Sequence, residues 1–120
     1  MHDHVPALEF ACSQTGLIKP QEWVSTSLEA IDVARLDPVE LEVAVELTHP
    51  HAGGLALWLQ APGGSYYRLH TSDGRDLDQP LPANYTLDIS NEEVDGAWQL
   101  WVYDAYSPES GRLERWSAKF

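Results

Sequence analysis

The sequence predicts an all-β domain, an antiparallel sandwich or barrel-like fold, from three observations. Short segments in which apolar and polar residues alternate recur along the chain, as in half-buried strands. Turns rich in glycine and proline separate these segments, and almost nothing in the pattern favours a helix. The length of 120 residues suits one domain. A domain of this size buries roughly two thirds of its unfolded surface, so it folds without a disulfide or a metal.

The N-terminal segment, residues 1–27, is weakly patterned and is predicted to be an arm with at most one or two short strands. Residues 27–31 are compatible with the start of a short helix, although Pro38 and nearby β-branched residues argue against a long one. The sandwich itself is predicted over residues 28–120.

The clearest predicted strand covers residues 39–47, where apolar residues at the odd positions alternate with three glutamates and an alanine. This period of two buries one face and leaves the glutamates in water. Leu113 and Trp116 differ in parity, which predicts a bulge between them in the last strand. The segments 55–60 and 66–70 are expected to form a hairpin, and 71–84 to be a long loop. The predicted strands after the first are 55–60, 66–70, 85–89, 98–103 and 113–120.

The charge of the chain excludes several partners. With 19 acidic and 7 basic residues, the net charge is −12. Nucleic acids and anionic membrane surfaces are bound mainly through Lys and Arg, so neither is an expected partner. The first four residues lack the basic and apolar regions of a signal peptide, which is the pattern of a cytoplasmic chain or of an excised domain. The single cysteine, Cys12, rules out an internal disulfide and is expected to be a free buried thiol or an intermolecular link.

The sequence predicts no catalytic constellation and therefore no enzyme activity of its own. A nucleophilic mechanism needs a Ser or Cys with a base in reach, and no Gly-x-Ser-x-Gly motif is present. Two His-x-His pairs at 2–4 and 49–51 fall short of the three or four rigid ligands that zinc favours. Asp73, Asp76 and Asp78 offer three carboxylates in a loop, which is either a calcium site or simply a solvated acidic loop.

The aromatic residues of the predicted strands leave two alternatives open. In segment 98–103, Trp98 faces the core side while Trp101 and Tyr103 face the opposite side, and Trp58 lies opposite the leucine face of its own strand. One interpretation is that loops or the N-terminal arm cover these side chains. The other is an outward aromatic patch that contacts a protein partner or a sugar, with Trp58, Trp101 and Tyr103 as the binding residues.

Residues 39–120 resemble the P domain (P/Homo B domain) of subtilisin-like proprotein convertases. The family pattern has a strand that ends in a histidine-containing turn, followed by Gly-Asp-Leu, Leu-x-Ser-Pro-x-Gly, Asn-Gly-x-Trp-x-Leu-x-Val-x-Asp and Asp-x-Gly-x-Leu-x-x-Trp. The corresponding segments here, in the same order, are Leu-Thr-His at 47–49, Gly-Gly-Leu at 53–55, Leu-Gln-Ala-Pro-Gly-Gly at 59–64, Asp-Gly-Ala-Trp-Gln-Leu-Trp-Val-Tyr-Asp at 95–104 and Glu-Ser-Gly-Arg-Leu-Glu-Arg-Trp at 109–116.

The resemblance implies a jelly-roll β-sandwich similar to galactose-binding-like domains. It also implies a non-catalytic module, usually of secreted or cell-surface proteins, that stabilises or docks on a subtilisin-like protease domain in the same or a neighbouring polypeptide. No cofactor is required, but some family members bind calcium through loop carboxylates. Here the aspartate of Gly-Asp-Leu is Gly54, which leaves Asp104 and Glu109 as the residues of a partial calcium site. The alternative function is a free-standing carbohydrate- or protein-binding module that uses the aromatic patch.

Overall fold

The computed structural model describes residues 8–75 and 77–120, which form nine β-strands and two short 3-10 turns. No helix among these residues is long and apolar enough to cross a membrane. The strands are β1 (Glu9–Cys12), β2 (Gly16–Ile18), β3 (Trp23–Ala30), β4 (Glu40–Thr48), β5 (Leu55–Gln60), β6 (Tyr66–His70), β7 (Asn84–Asp88), β8 (Gly96–Asp104) and β9 (Gly111–Lys119).

The strands form two antiparallel sheets that pack face to face. One sheet has the order β1-β9-β4-β7, with β2 also paired to β9, and the other has the order β3-β8-β5-β6. If β1 and β2 are counted as one interrupted strand, every connection passes from one sheet to the other except the β5–β6 hairpin, which is the eight-strand pattern of a jelly roll. The all-β, antiparallel jelly-roll sandwich predicted above is therefore confirmed.

The core lies between the two sheets and is built by the alternation of each strand. Leu41 and Val43 of β4 face it from one sheet, and Leu57 of β5 faces it from the other. Trp98 and Trp116, both almost completely buried, are its largest side chains. The indole N–H of Trp116 in β9 donates to Oγ1 of Thr26 in β3 at 3.0 Å. This hydrogen bond joins the two sheets and satisfies a buried donor that would otherwise cost free energy.

The strands predicted from residue 39 onward agree with the observed ones to within one or two residues at each end. The hairpin of β5 and β6 is confirmed by their direct antiparallel pairing. The bulge is confirmed as well. Between β4 and β9 the register runs from the pair Glu46–Arg115 to the pair Leu47–Leu113, so Glu114 is the extra residue.

The N-terminal segment differs from its prediction. Residues 27–30 belong to β3, so the short helix suggested for residues 27–31 is wrong. The predicted boundary at residue 27 falls inside this strand. Residues 9–12 and 16–18 pair with β9, and β3 pairs with β8 along its whole length. The part of the arm that the structure describes is therefore built into both sheets.

Candidate functional site

The outward face of the four-stranded sheet gathers aromatic side chains from four strands. Trp58 of β5 is paired directly with Trp101 of β8, and Trp23 of β3 is paired with Tyr103 of β8. Tyr66 of β6 lies opposite Gln60 at the other end of β5. Because residues directly opposite each other in neighbouring strands point to the same side of a sheet, these side chains form one continuous surface.

Trp23, Trp58, Tyr66 and Trp101 line a groove of about 440 Å³ on this face, which is called the aromatic groove below. Trp58 and Trp101 are half-buried, whereas Trp23 and Tyr66 are 53% and 58% exposed. The ring of Trp23 stands nearly perpendicular to that of Trp101, at 82° with the centroids 6.3 Å apart. It is tilted by 38° against Tyr103 at 4.8 Å. Trp23 therefore forms a wall of the groove.

Polar groups on this face are few and mostly uncharged. The indole N–H of Trp101 donates to Oε1 of Gln60 at 3.2 Å, which fixes one ring of the groove against β5. Gln99 lies next to Gln60 in the same row of the sheet. Glu29 of β3 and Arg68 of β6 are the charged residues at the margins of these rows. The face thus joins an apolar centre to a small number of hydrogen-bonding groups, as binding surfaces commonly do.

The outward face of the other sheet has the opposite character. Glu42 is paired there with Lys119, and Glu46 is paired with Arg115. Such cross-strand pairs of opposite charge suit a surface in contact with water. A second groove, of about 610 Å³, runs from the end of β4 to the loop of residues 77–83 and has a mixed polar and apolar lining. Of the two grooves, the aromatic one has the composition typical of a binding surface.

The structure brings Trp58, Trp101 and Tyr103 together, as the outward-patch alternative requires. All three side chains are half-buried, and Trp23 of the N-terminal arm covers part of Trp101 and Tyr103, as the other alternative expected of the arm. The arm contributes Trp23, which packs beside them and extends the surface. Trp23 and Tyr66 were missed among the predicted binding residues. Little in the sequence signals either residue, because Trp23 is followed by apolar Val24 and Tyr66 by a second tyrosine, Tyr67.

Asp104 does not have the environment expected of a calcium ligand. It is completely buried, and its Oδ1 accepts the backbone N–H groups of Ser107 at 3.0 Å and Tyr106 at 3.3 Å. Its Oδ2 lies 2.8 Å from Nε2 of His49. The backbone N–H of His51 donates to Nδ1 of His49, so the ring proton is on Nε2 and is donated to Asp104. Both carboxylate oxygens are used within the fold, and the residues present do not fit a bound cation.

The other residues predicted to bind calcium do not come together in one site either. Glu109 is exposed, Asp73 lies 3.4 Å from Arg75, and Asp78 is 3.4 Å from Nδ1 of His51. Asp76 lies outside the described residues. Within residues 8–75 and 77–120, no group of three His, Cys, Asp or Glu side chains could hold a metal ion.

Gly54, which stands at the aspartate position of the family pattern, is in close contact with the loop between β6 and β7. A Cβ atom placed on Gly54 would lie 2.5 Å from Cδ2 of Leu77. Leu77 comes from the long loop between β6 and β7 and is packed against this glycine. Because Cδ2 is the end of a flexible side chain, Leu77 would have to adopt another rotamer to admit a side chain at position 54.

The remaining candidate groups of the described residues are buried or hydrogen-bonded within the fold. The side chains of His49 and Asp104 are 0% and 1% exposed. Nδ1 of His70 is hydrogen-bonded to the carbonyl oxygen of Leu55 at 2.9 Å. Cys12 is a buried free thiol, as one of the two sequence-based alternatives expected. His2 and His4 lie outside the described residues.

Comparisons with known proteins agree with this fold. The model of the proprotein convertase P-domain family matches residues 38–120. The transglutaminase-activating metalloprotease of Streptomyces mobaraensis is 39% identical over 83 residues, which are 69% of this chain and 11% of that protein. Leupeptin-inactivating enzyme 1 of Streptomyces exfoliatus is 32% identical over 101 residues, which are 84% of this chain and 23% of that protein. The chain therefore spans less than a quarter of the length of these curated relatives.

A solved structure of similar fold is that of the Aeromonas sobria serine protease in complex with the chaperone ORF2. It superposes with a TM-score of 0.73 at 18% identity and covers 98% of this chain and 27% of that one. At this identity the likeness concerns the fold alone. The family model, by contrast, covers more than half of the sequence with an ordered set of matching residues. The chain is therefore a member of the proprotein convertase P-domain family.

Proposed function

We propose that this domain is a non-catalytic module that docks on a protease catalytic domain and stabilises it. The observation that carries the proposal is the P-domain match over residues 38–120. Relatives named as proteases share this segment, and it makes up a small part of each of them. A subtilisin-like serine protease is the class of partner expected from the sequence, and the partner lies in the same or a neighbouring polypeptide.

A non-catalytic role is supported by the burial of the groups that resemble catalytic ones. The His49–Asp104 pair has the geometry of a base and the carboxylate that orients it. However, a general base must come within hydrogen-bond distance of the proton that it removes, and both side chains are shielded from solvent. In this domain the pair fastens the turn after β4 to the end of β8.

The proposal is tested with the protease catalytic domain encoded in the same reading frame or in an adjacent gene. The two polypeptides are produced together and separately, and complex formation is followed by gel filtration. The melting temperature of the catalytic domain and its resistance to self-digestion are then measured with and without the P-domain chain. A complex with a higher melting temperature is expected, since a ligand that binds only the native state stabilises it. If no complex forms and the melting temperature does not change, the docking role is refuted.

A second candidate function, a free-standing carbohydrate-binding module, is supported by the exposed rings of the aromatic groove. Aromatic side chains offer large apolar surfaces with polar edges that suit such ligands. A glycan array on the wild type, with Trp58→Ala and Trp101→Ala as groove variants, tests this function. Leu17→Ala is the matched control, because Leu17 is an exposed apolar residue outside the four-stranded sheet. If both tryptophan variants bind sugar as well as the wild type does, the aromatic groove is not the sugar-binding surface.

A further inference from the structure

We propose that the aromatic groove is the surface that contacts the protease catalytic domain, and that the partner presents an apolar side chain flanked by Lys or Arg. This inference rests on the proposed function and names the surface and the chemistry of the partner. It follows from the apolar character of the groove, from the carboxylates at its two ends and from the net charge of the chain.

The first observation is that the groove concentrates exposed apolar surface. Trp23 and Tyr66 are more than half exposed at its rim, and Trp58 and Trp101 form its floor. Contiguous exposed apolar surface rimmed by polar residues often marks a site of protein–protein interaction. Tryptophan and tyrosine in central pockets are also the residues that contribute most to protein–protein affinity. A partner that inserts an apolar side chain between these rings would bury this surface.

The second observation concerns charge at the two ends of the groove. Glu22 is exposed and directly precedes Trp23 at one end. At the other end Glu93 lies against the turn of residues 61–65, which leads into Tyr66. A Cβ atom placed on Gly63 in that turn would lie 3.3 Å from Oε2 of Glu93. Arg68 lies opposite Trp58 on the same face, so the acidic groups are at the ends of the groove and a basic group is along its side. Acidic ends and a net charge of −12 complement an apolar anchor with basic flanks, and such complementarity gives specificity and faster association.

The net charge argues against a second copy of the chain as the occupant. Two chains that each carry −12 repel one another at low ionic strength, whereas a basic partner is attracted. The ring geometry favours a protein side chain over a sugar. Because Trp23 stands at 82° to Trp101, the two rings meet as a wall and the floor of a groove and do not form a coplanar platform for flat stacking.

The experiment measures the affinity of wild-type and variant chains for the catalytic domain by calorimetry. Trp101→Ala is expected to weaken binding by about 30-fold or more, as at a central hot spot. Trp23→Ala is included because an exposed side chain can be removed with little effect on folding. It is expected to weaken binding by about 5-fold or more, and Leu17→Ala to leave binding unchanged. Far-UV circular dichroism verifies that each variant is folded.

The basic flanks of the partner are tested by salt and by charge removal. Wild-type affinity is expected to fall as ionic strength rises, because surface charges are screened over about 10 Å at 0.1 M. The double variant Glu22→Gln/Glu93→Gln should lose part of this salt dependence. Glu40→Gln/Glu42→Gln, which removes the same charge from the other sheet, is the matched control and should retain it. An affinity that does not depend on salt would contradict the basic flanks.

The outcomes separate this inference from the proposed function. If the wild type binds and stabilises the catalytic domain but folded Trp23→Ala and Trp101→Ala bind equally well, the docking surface lies elsewhere and only this inference fails. If the wild type does not bind at all, the proposed function fails and this inference fails with it. If the groove variants abolish sugar binding or self-association and leave protease binding intact, the groove has a different occupant and the inference is wrong.

Discussion

The buried pair of His49 and Asp104 supports a quantitative prediction about stability. The Asp104→Asn side chain keeps an oxygen that can accept hydrogen bonds from the backbone N–H groups of Tyr106 and Ser107. Its NH2 group, however, faces the Nε2–H donor of His49. The ring cannot adjust by changing its tautomer. A proton on Nδ1 would then face the backbone N–H of His51, which now donates to that nitrogen at 2.9 Å. In either tautomer one buried donor faces another donor.

The expected magnitude follows from the number of donors that lose their acceptor. One unsatisfied buried donor costs about 1–3 kcal/mol, so Asp104→Asn should lower the free energy of unfolding by that amount. Asp104→Ala removes the acceptor of all three donors and should cost about 3–5 kcal/mol. Because a domain is stable by only about 5–15 kcal/mol, the asparagine variant is the more informative one.

The assay is urea unfolding followed by the fluorescence of the buried tryptophans, with Glu109→Gln as the control at an exposed position. The midpoint of Asp104→Asn should fall while the dependence on urea stays the same. In a double-mutant cycle with His49→Phe, the two losses should be less than additive by about 0.5–3 kcal/mol. An unchanged midpoint for Asp104→Asn, or strictly additive losses, would show that the pair does not contribute as its geometry indicates.

Three further predictions concern packing, pH and metal. Gly111→Ala would place a Cβ atom 2.5 Å from the carbonyl oxygen of Thr48 and should cost about 1–3 kcal/mol in urea unfolding. Gly63→Ala, whose Cβ atom would meet only the side chains of Glu92 and Glu93, should be nearly neutral. If the two variants lose the same free energy of unfolding, the close approach of Gly111 to the backbone of Thr48 is contradicted. Burial and the hydrogen bond to Glu92 raise the pKa of Tyr67 to about 12, from an ordinary value of 10.0. Its contribution to stability is therefore complete below about pH 10 and disappears between about pH 10 and 12. Wild type should lose stability over that range more steeply than Tyr67→Phe in thermal unfolding, and parallel curves would contradict this. Because both oxygens of Asp104 are used within the fold, EDTA should leave the melting temperature unchanged; a fall that calcium reverses would show a calcium site.

The sequence by itself determined the strands from residue 39 onward and the bulge in the last of them. These features depend on the alternation of neighbouring residues, which is set by the pleat of a single strand. The same alternation placed Trp58, Trp101 and Tyr103 on the side opposite the core. The motifs that resemble the P-domain family are visible in the sequence for a similar reason, since each lies within a strand and the turn next to it.

The tertiary structure decided which distant segments meet. Trp23 joins the aromatic groove only because β3 pairs with β8, which lies about 80 residues further along the chain. The motif of Asp104 made it a candidate metal ligand. In the tertiary structure His49, 55 residues away in sequence, lies beside it and the carboxylate has a structural role. The pairing of distant strands depends on the burial of the whole core and on the cost of closing long loops, which no short segment of sequence records.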